Sequence, residues 1–135
     1  MKDIIKKEQF YQFPISDIWK AISEQEEISK WFIQADFKAE VGYRYTFTYE
    51  QTKVTGEVLE ADPVYNLVYT WVVGGTTTIT TVRWSLKEQE NGTMLTIEHS
   101  GFEGYPKESA VAMFSSSVQG WDAVCKELQH YLGEQ

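Results

Sequence analysis

The chain has few of the side chains from which metal centres and nucleophilic relays are built. Its 135 residues include one cysteine, Cys125, and two histidines, His99 and His130. A single cysteine cannot form an intrachain disulfide, which fits a reducing compartment. A zinc site needs three or four ligands at suitable spacings, and neither histidine has such companions nearby in the sequence. The sequence therefore predicts no metal site, no bound cofactor and no catalytic residue.

Basic side chains and long apolar runs are also scarce. Acidic residues outnumber basic ones by 20 to 12, the formal net charge is −8, and the only arginines are Arg44 and Arg83. Such a surface repels nucleic-acid phosphates and anionic lipid headgroups. No apolar run approaches the ~20 residues that span a bilayer, and residues 1–10 contain no apolar stretch of signal-peptide length. We expect a cytoplasmic protein that neither binds nucleic acid nor inserts into a membrane.

Aromatic residues are what the chain has in excess. Five Trp, eight Tyr and seven Phe make up 15% of the sequence. The 42% of apolar and 24% of charged residues are ordinary values for a globular protein. A length of 135 residues is that of one domain with a substantial core, so we expect residues 1–135 to form a single domain. Many large rings beside few reactive groups favour a protein that encloses an apolar molecule.

The N-terminal quarter predicts one strand and two short helices. Residues 4–13 combine β-branched and aromatic side chains and predict a first strand that ends at Pro14. Ser16 or Asp17 is suited to cap the helix that follows. Ser23-Glu24-Gln25-Glu26 has the spacing of a capping box, which predicts the start of a second short helix.

From residue 37 onward the hydrophobic period changes to two, which is typical of half-buried strands. Residues 54–60 continue in strand-like residue types, 67–71 alternate again, and the threonine-rich start of 76–86 has high β-propensity. Asn91-Gly92 is a strong hairpin signal before a last strand. These patterns predict six or seven antiparallel strands. The alternation is clearest in four rings that share one side of a strand: Tyr43, Tyr45, Phe47 and Tyr49.

The last part of the chain predicts one long amphipathic helix. Gly101 to Pro106 interrupts the strand pattern, and a stripe of apolar residues then continues to a stop at Gly133. An α+β architecture follows, in which this helix lies across the concave face of the sheet because no other large apolar surface remains for it. The stripe advances in steps of four and three residues: Phe114, Val118, Trp121, Cys125, Leu128 and Leu132.

Several short motifs, spaced in order through nearly the entire chain, carry a family resemblance. They are Pro14 to Ile22, Ile28 to Phe32, Gly56 to Pro63, Leu67 to Trp71, Thr93 to Phe102, and Gly120-Trp121. This ordered set resembles the START-like (SRPBCC) proteins, specifically relatives of the C-terminal domain of the heat-shock-protein-ninety ATPase activator. The resemblance implies a helix-grip fold, in which a curved antiparallel sheet wraps around the long C-terminal helix and leaves an apolar cavity between them. Members of the wider superfamily bind lipids, polyketides, sterols and hormones, and a minority are cyclases or related enzymes.

The candidate ligand-binding residues are the aromatic side chains expected to face that interior, together with His99. Their burial is worth roughly 1.5 to 3 kcal/mol apiece, so core packing alone would also account for them. His99 shares its parity with Leu95 and Ile97, so it should point inward and offer a polar anchor. We expect the opening between Trp31-Phe32, the segment Gly101 to Pro106 and the long helix. The full candidate set is Trp31, Phe32, Tyr45, Phe47, Trp71, Trp84, His99, Phe102, Phe114 and Trp121.

Three functions remain open from the sequence. The first is non-enzymatic binding of a small hydrophobic molecule, such as a lipid, a polyketide or another aromatic compound. The second is a protein-interaction module or chaperone accessory, whose acidic surface would meet a basic protein partner. The third is an enzyme of cyclase or hydrolase type in which His99 acts as acid or base.

Overall fold

The computed structural model of the protein describes residues 4–134, which form one antiparallel sheet, three α-helices and a short 3-10 helix. In chain order the elements are β1 (Ile5–Tyr11), α1 (Ile15–Ser23), α2 (Gln25–Trp31), β2 (Gln34–Asp36), β3 (Arg44–Tyr49), β4 (Thr52–Asp62), β5 (Asn66–Val73), β6 (Thr80–Gln89), β7 (Gly92–Ser100), the 3-10 helix (Phe102–Gly104) and α3 (Lys107–Gly133). The strand order is β1-β7-β6-β5-β4-β3-β2. The predicted α+β helix-grip fold is confirmed.

The two short helices form where they were predicted, but the predicted caps are wrong. Helix α1 begins at Ile15 with Pro14 at its N-cap, so Ser16 and Asp17 already lie inside its first turn. Pro14 has extended backbone at ψ 147°, and no side chain caps the helix there. Ser23 belongs to the last turn of α1, and its hydroxyl donates to the Trp19 carbonyl instead of capping α2.

The threonine-rich stretch after Gly75 starts as a loop, so the predicted strand over residues 76–86 begins four residues late, at Thr80. The Thr76 hydroxyl donates to the Val73 carbonyl at 2.8 Å, and the Thr78 hydroxyl donates to the Gly104 carbonyl at 3.2 Å. The Thr76 bond is local and competes with strand pairing, whereas the Thr78 bond ties the loop to the 3-10 helix.

The concave face of the sheet carries a dense aromatic core. Tyr45, Phe47, Tyr69 and Trp84 are almost fully buried, and the Trp84 indole donates to the Tyr69 hydroxyl at 2.8 Å. Ring centroids lie 4.5 Å apart for Tyr45 and Phe47 and 5.0 Å apart for Tyr45 and Tyr69. The inward parity predicted for β3 is therefore correct for its two central rings.

Strand β4 passes close to β5 at Gly56, a position that has no room for a side chain. A Cβ on Gly56 would lie 2.0 Å from the Thr70 carbonyl oxygen, far inside van der Waals contact. The Thr70 carbonyl instead accepts a hydrogen bond from Tyr45, whose ring lies against Gly56. The register of the two strands then shifts between Val58 and Glu60, and such irregularities increase local twist.

Helix α3 is anchored mainly through its second half. Trp121, Cys125, Leu128 and Leu132 are its buried residues, and the Tyr11 hydroxyl of β1 donates to the Cys125 carbonyl at 2.9 Å. Burial of that phenol raises its pKa, so it stays a neutral donor. None of the helices formed by residues 4–134 is both long enough and apolar enough to cross a bilayer.

Candidate functional site

An open apolar groove of about 450 Å³ lies between the middle of α3 and the concave face of the sheet. This volume falls within the range of roughly 300 to 1,000 Å³ that is usual for small-molecule sites. The sheet wall comes from the ends of β3, β4 and β5, and Phe32 and Ile33 close the groove after α2. The sheet wall consists of Tyr49, Thr52, Val54, Trp71 and Val73.

The groove is open because α3 presents small side chains to it. Ser116, Ser117 and Gly120 line the helix wall, with Met113 and Val124 beside them. A Cβ placed on Gly120 would meet no heavy atom within 4 Å. Protein interiors are normally filled to crystal-like density, so this unfilled space sets the groove apart from the core beneath it.

His99 and Trp121 form the floor of the groove and are held by a chain of hydrogen bonds. The Trp121 indole donates to Nδ1 of His99 at 2.9 Å, and His99 Nε2 lies 2.7 Å from Thr80 Oγ1. Thr80 Oγ1 in turn donates to the Trp71 carbonyl at 3.0 Å. An indole nitrogen is a donor only, so Nδ1 must be the acceptor and the proton of the neutral imidazole must be on Nε2.

The environment keeps His99 neutral and leaves it no lone pair with which to abstract a proton. It borders the groove, yet only 1% of its surface is exposed, and burial lowers its pKa to about 4. A general base needs an accessible lone pair aimed at the substrate, whereas Nδ1 is occupied by Trp121 and Nε2 carries the proton. This geometry suits a structural and orienting role.

Four of the ten candidate residues line the groove: Phe32, Trp71, His99 and Trp121. The other six support it from behind. Tyr45, Phe47 and Trp84 are buried in the sheet core, whereas Trp31 stacks on Phe32 and donates its indole N–H to the Ala21 carbonyl.

Phe102 and Phe114, the remaining two candidates, pack on each other beside the groove. Their ring centroids are 5.3 Å apart, and the Phe102 ring lies 4.6 Å from that of His99. The segment Gly101 to Pro106 buries both Phe102 and Tyr105 and contributes no residue to the groove lining. The exposed lining residues are Tyr49 and Thr52 at the hairpin between β3 and β4 and Ser116 and Gly120 on α3, so the groove opens between this hairpin and the helix.

Sequence reasoning missed most of the helix wall and the outer sheet wall. Tyr49 belongs to the same alternating row as Tyr45 and Phe47, so its parity could have included it. Ser117 and Gly120 offer a subtler signal, because they are small residues within the apolar stripe of a long helix. Small residues at such positions indicate either that a neighbouring element packs closely against the helix or that a space is left empty, and the sequence does not distinguish the two.

Comparisons with known proteins agree with this architecture. A protein of Mesorhizobium loti has a TM-score of 0.88 at 24% identity, with 98% of each chain covered. A Bacillus halodurans protein has a TM-score of 0.80 at 28% identity, with 95% of each chain covered. An Hsp90 activator of Plasmodium falciparum has a TM-score of 0.64 at 17% identity, with 73% of this chain and 72% of that one covered.

No curated protein shows significant sequence similarity to the chain. Residues 12–133 match the family model described as activator of Hsp90 ATPase homolog 1-like protein. That match covers most of the 135 residues and includes every element from α1 to α3. The chain therefore belongs to the activator of Hsp90 ATPase homolog 1-like family of START-like proteins.

Proposed function

We propose that the protein binds a small hydrophobic molecule in the groove between α3 and the sheet, without transforming it chemically. The observation that carries this proposal is the unfilled space itself, lined by Phe32, Trp71 and Trp121, in a protein whose core is otherwise tightly packed with rings. A ligand that covers the half-exposed rings Phe32 and Trp71 removes apolar surface from water, which favours binding by roughly 25 cal/mol per Å².

The hydrogen bonds around His99 support binding rather than catalysis. They hold the Trp121 ring in one orientation at the floor, which is what a preformed recognition site requires. Within residues 4–134, no three or more side chains of His, Cys, Asp and Glu gather as they would around a metal ion.

Filling the groove tests this function. Gly120→Leu places a side chain into the open space without a backbone clash, so it should weaken binding of the neutral apolar dye Nile red at least about tenfold. Gly133→Leu is the matched control, because Gly133 is the other glycine of α3 with open space around its Cβ and lies away from the groove. Dye fluorescence measures both affinities, and equal affinity of the two variants would refute the groove as the binding site.

A second candidate function is a protein interaction of the chaperone-accessory type. It rests on the family description, on the net charge of −8 and on the likeness to the Plasmodium falciparum Hsp90 activator. The assay is the ATPase rate of the Hsp90 from the same cell with and without added protein. Stimulation that declines with rising salt supports an electrostatic contact, and an unchanged rate counts against this function.

A further inference from the structure

The groove carries no formal charge on its walls. Among the described residues that line it, none is Asp, Glu, Lys or Arg, although charged residues make up 24% of the chain. A ligand with a carboxylate or ammonium group inside this groove would lose its hydration without gaining an ionic partner. The protein's net charge of −8 adds a further penalty for an anion. The lining therefore selects neutral molecules.

One indole on the sheet wall has a hydrogen-bond donor that the protein does not use. The indole N–H groups of Trp31, Trp84 and Trp121 each donate to a protein acceptor. The indole N–H groups of Trp71 and Trp19 differ, because neither has an acceptor within residues 4–134, and of these two only Trp71 lines the groove. Since no buried polar side-chain atom of the described residues lacks a partner, the Trp71 N–H must be accessible to solvent.

A second unused donor lies on the opposite wall. The Ser117 hydroxyl makes no hydrogen bond within the described part of the chain, whereas its neighbour Ser116 donates to the Met113 carbonyl at 3.2 Å. Ser117 is half-buried and lines the helix side of the groove. A hydroxyl or indole donor that is partly withdrawn from water gains most from a ligand that supplies an acceptor.

The rings at the floor define the shape of the preferred ligand. Trp121 lies 5.6 Å from Trp71 and 6.2 Å from Phe32, with tilted ring planes. Clustered rings offer both faces and edges, to which a flat ring system packs in offset or edge-to-face geometry. A flexible alkyl chain gains no such ring contacts and loses more conformational entropy on binding.

We propose that the groove recognises a neutral, planar polycyclic aromatic molecule with a carbonyl oxygen that accepts hydrogen bonds from the Trp71 indole N–H and the Ser117 hydroxyl. This inference rests on the proposed binding function and narrows it to a ligand class. The free donors on the two walls specify the acceptor, the uncharged lining excludes ionised compounds, and the ring cluster specifies the flat shape.

The experiment compares three compounds with the same ring system: fluorene, 9-fluorenone and fluorene-9-carboxylate. One net hydrogen bond corresponds to about a fivefold gain, so fluorenone should bind about fivefold tighter than fluorene. The carboxylate should bind at least about tenfold more weakly than fluorenone. Quenching of tryptophan fluorescence, corrected for absorption by each compound, gives the three affinities at pH 7.

Two variants test the donors. Trp71→Phe keeps a ring and removes the N–H, and Ser117→Ala removes the hydroxyl, so each should bring the ratio of fluorenone to fluorene affinity towards one. Trp19→Phe on α1, outside the groove, is the control and should retain the wild-type ratio. Circular dichroism establishes that each variant is folded, and Ser117→Ala remains informative if Trp71→Phe does not fold.

The outcomes separate this inference from the proposed function. If none of the three compounds binds while Nile red does, the polycyclic ligand class is refuted and the groove stands; if Nile red also fails to bind, small-molecule binding itself is refuted. If fluorene and fluorenone bind equally well, or if both variants keep the wild-type ratio, the acceptor is refuted and the groove stands. If the carboxylate binds most tightly, the neutral ligand class is overturned.

Discussion

In the second half of α3, Trp121, Cys125, Leu128 and Leu132 are buried, whereas no residue between Lys107 and Gly120 is. The apolar stripe predicted from the sequence runs through both halves without a break. The second half packs on β1, where Tyr11 reaches the helix backbone, and the first half borders the groove. A continuous stripe therefore identifies the side of the helix that faces the protein, and the size of its residues decides whether that side is filled.

The largest expected difference between the two halves is in their contribution to stability. Leu128→Ala should lower the free energy of unfolding by about 2 to 5 kcal/mol, because Leu128 is fully buried and its removal leaves a cavity. Val111→Ala in the first half, where the side chain is 76% exposed, should change it by less than about 0.5 kcal/mol. Urea denaturation measures both, and similar losses would contradict the division of the helix.

Acidification should lower the free energy of unfolding through His99, which lies at the boundary between the two halves of α3 and accepts a hydrogen bond from the Trp121 indole. The unfolded chain takes up a proton on this histidine below pH 6.5, whereas the folded protein does so only near its lowered pKa of about 4. The unfolded state thus binds more protons in this window, so stability falls by roughly 3 kcal/mol as the pH drops from 6.5 to 4.

The matching variant is His99→Gln, which is neutral throughout that window. Its free energy of unfolding should fall less than that of the wild type between pH 7 and pH 4.5, as measured by urea denaturation at each pH. Parallel losses in the two proteins would show that other groups, and not His99, account for the acid sensitivity.

Removal of the contact between β1 and the second half of α3 should have a moderate effect. Tyr11→Phe deletes the hydroxyl that donates to the Cys125 carbonyl and should cost about 1 kcal/mol. The ring, which is 0% exposed, stays in place, so the groove and its ligand affinity should be retained. Thermal unfolding with and without Nile red checks both expectations, and a change in dye affinity without loss of stability would link the groove to β1.

The smallest effect is expected from a substitution that stabilises the first half. Gly120→Ala should raise the free energy of unfolding by about 0.5 kcal/mol, since glycine is a poor helix former and the added Cβ has open space. Gly56→Ala is the contrasting case, because its Cβ would clash with the Thr70 carbonyl. Chemical denaturation distinguishes them, and a destabilised Gly120→Ala protein would indicate that the helix must bend there.

Most of the fold was predictable because its patterns are local. Alternation over Tyr45 and Phe47, the hairpin at Asn91-Gly92 and the stripe on α3 each depend on which side of an element is buried. The errors occurred where side chains had competing local partners. Ser23 bonds back into α1, and Thr76 bonds to the turn before it, so neither acts as its residue type suggested.

The candidate site was predictable only in part. Parity placed His99 inward, and its burial agrees. Which rings reach the groove depends on the depth of each residue below α3, and periodicity carries no information on depth. The side chains of Trp71 and Trp84 were both predicted to face the interior, yet Trp71 lines the groove and Trp84 is fully buried beneath it.

The sequence by itself determined the order of strands and helices, the sides on which they are apolar, and the near absence of reactive groups, because these follow from residue type and spacing along one chain. The tertiary structure alone decided that an open groove remains between α3 and the sheet. Whether Ser117 and Gly120 border an empty space or a close contact depends on the distance between α3 and the sheet wall that carries Val54 and Trp71. That distance results from the packing of all the elements together, so no local pattern specifies it.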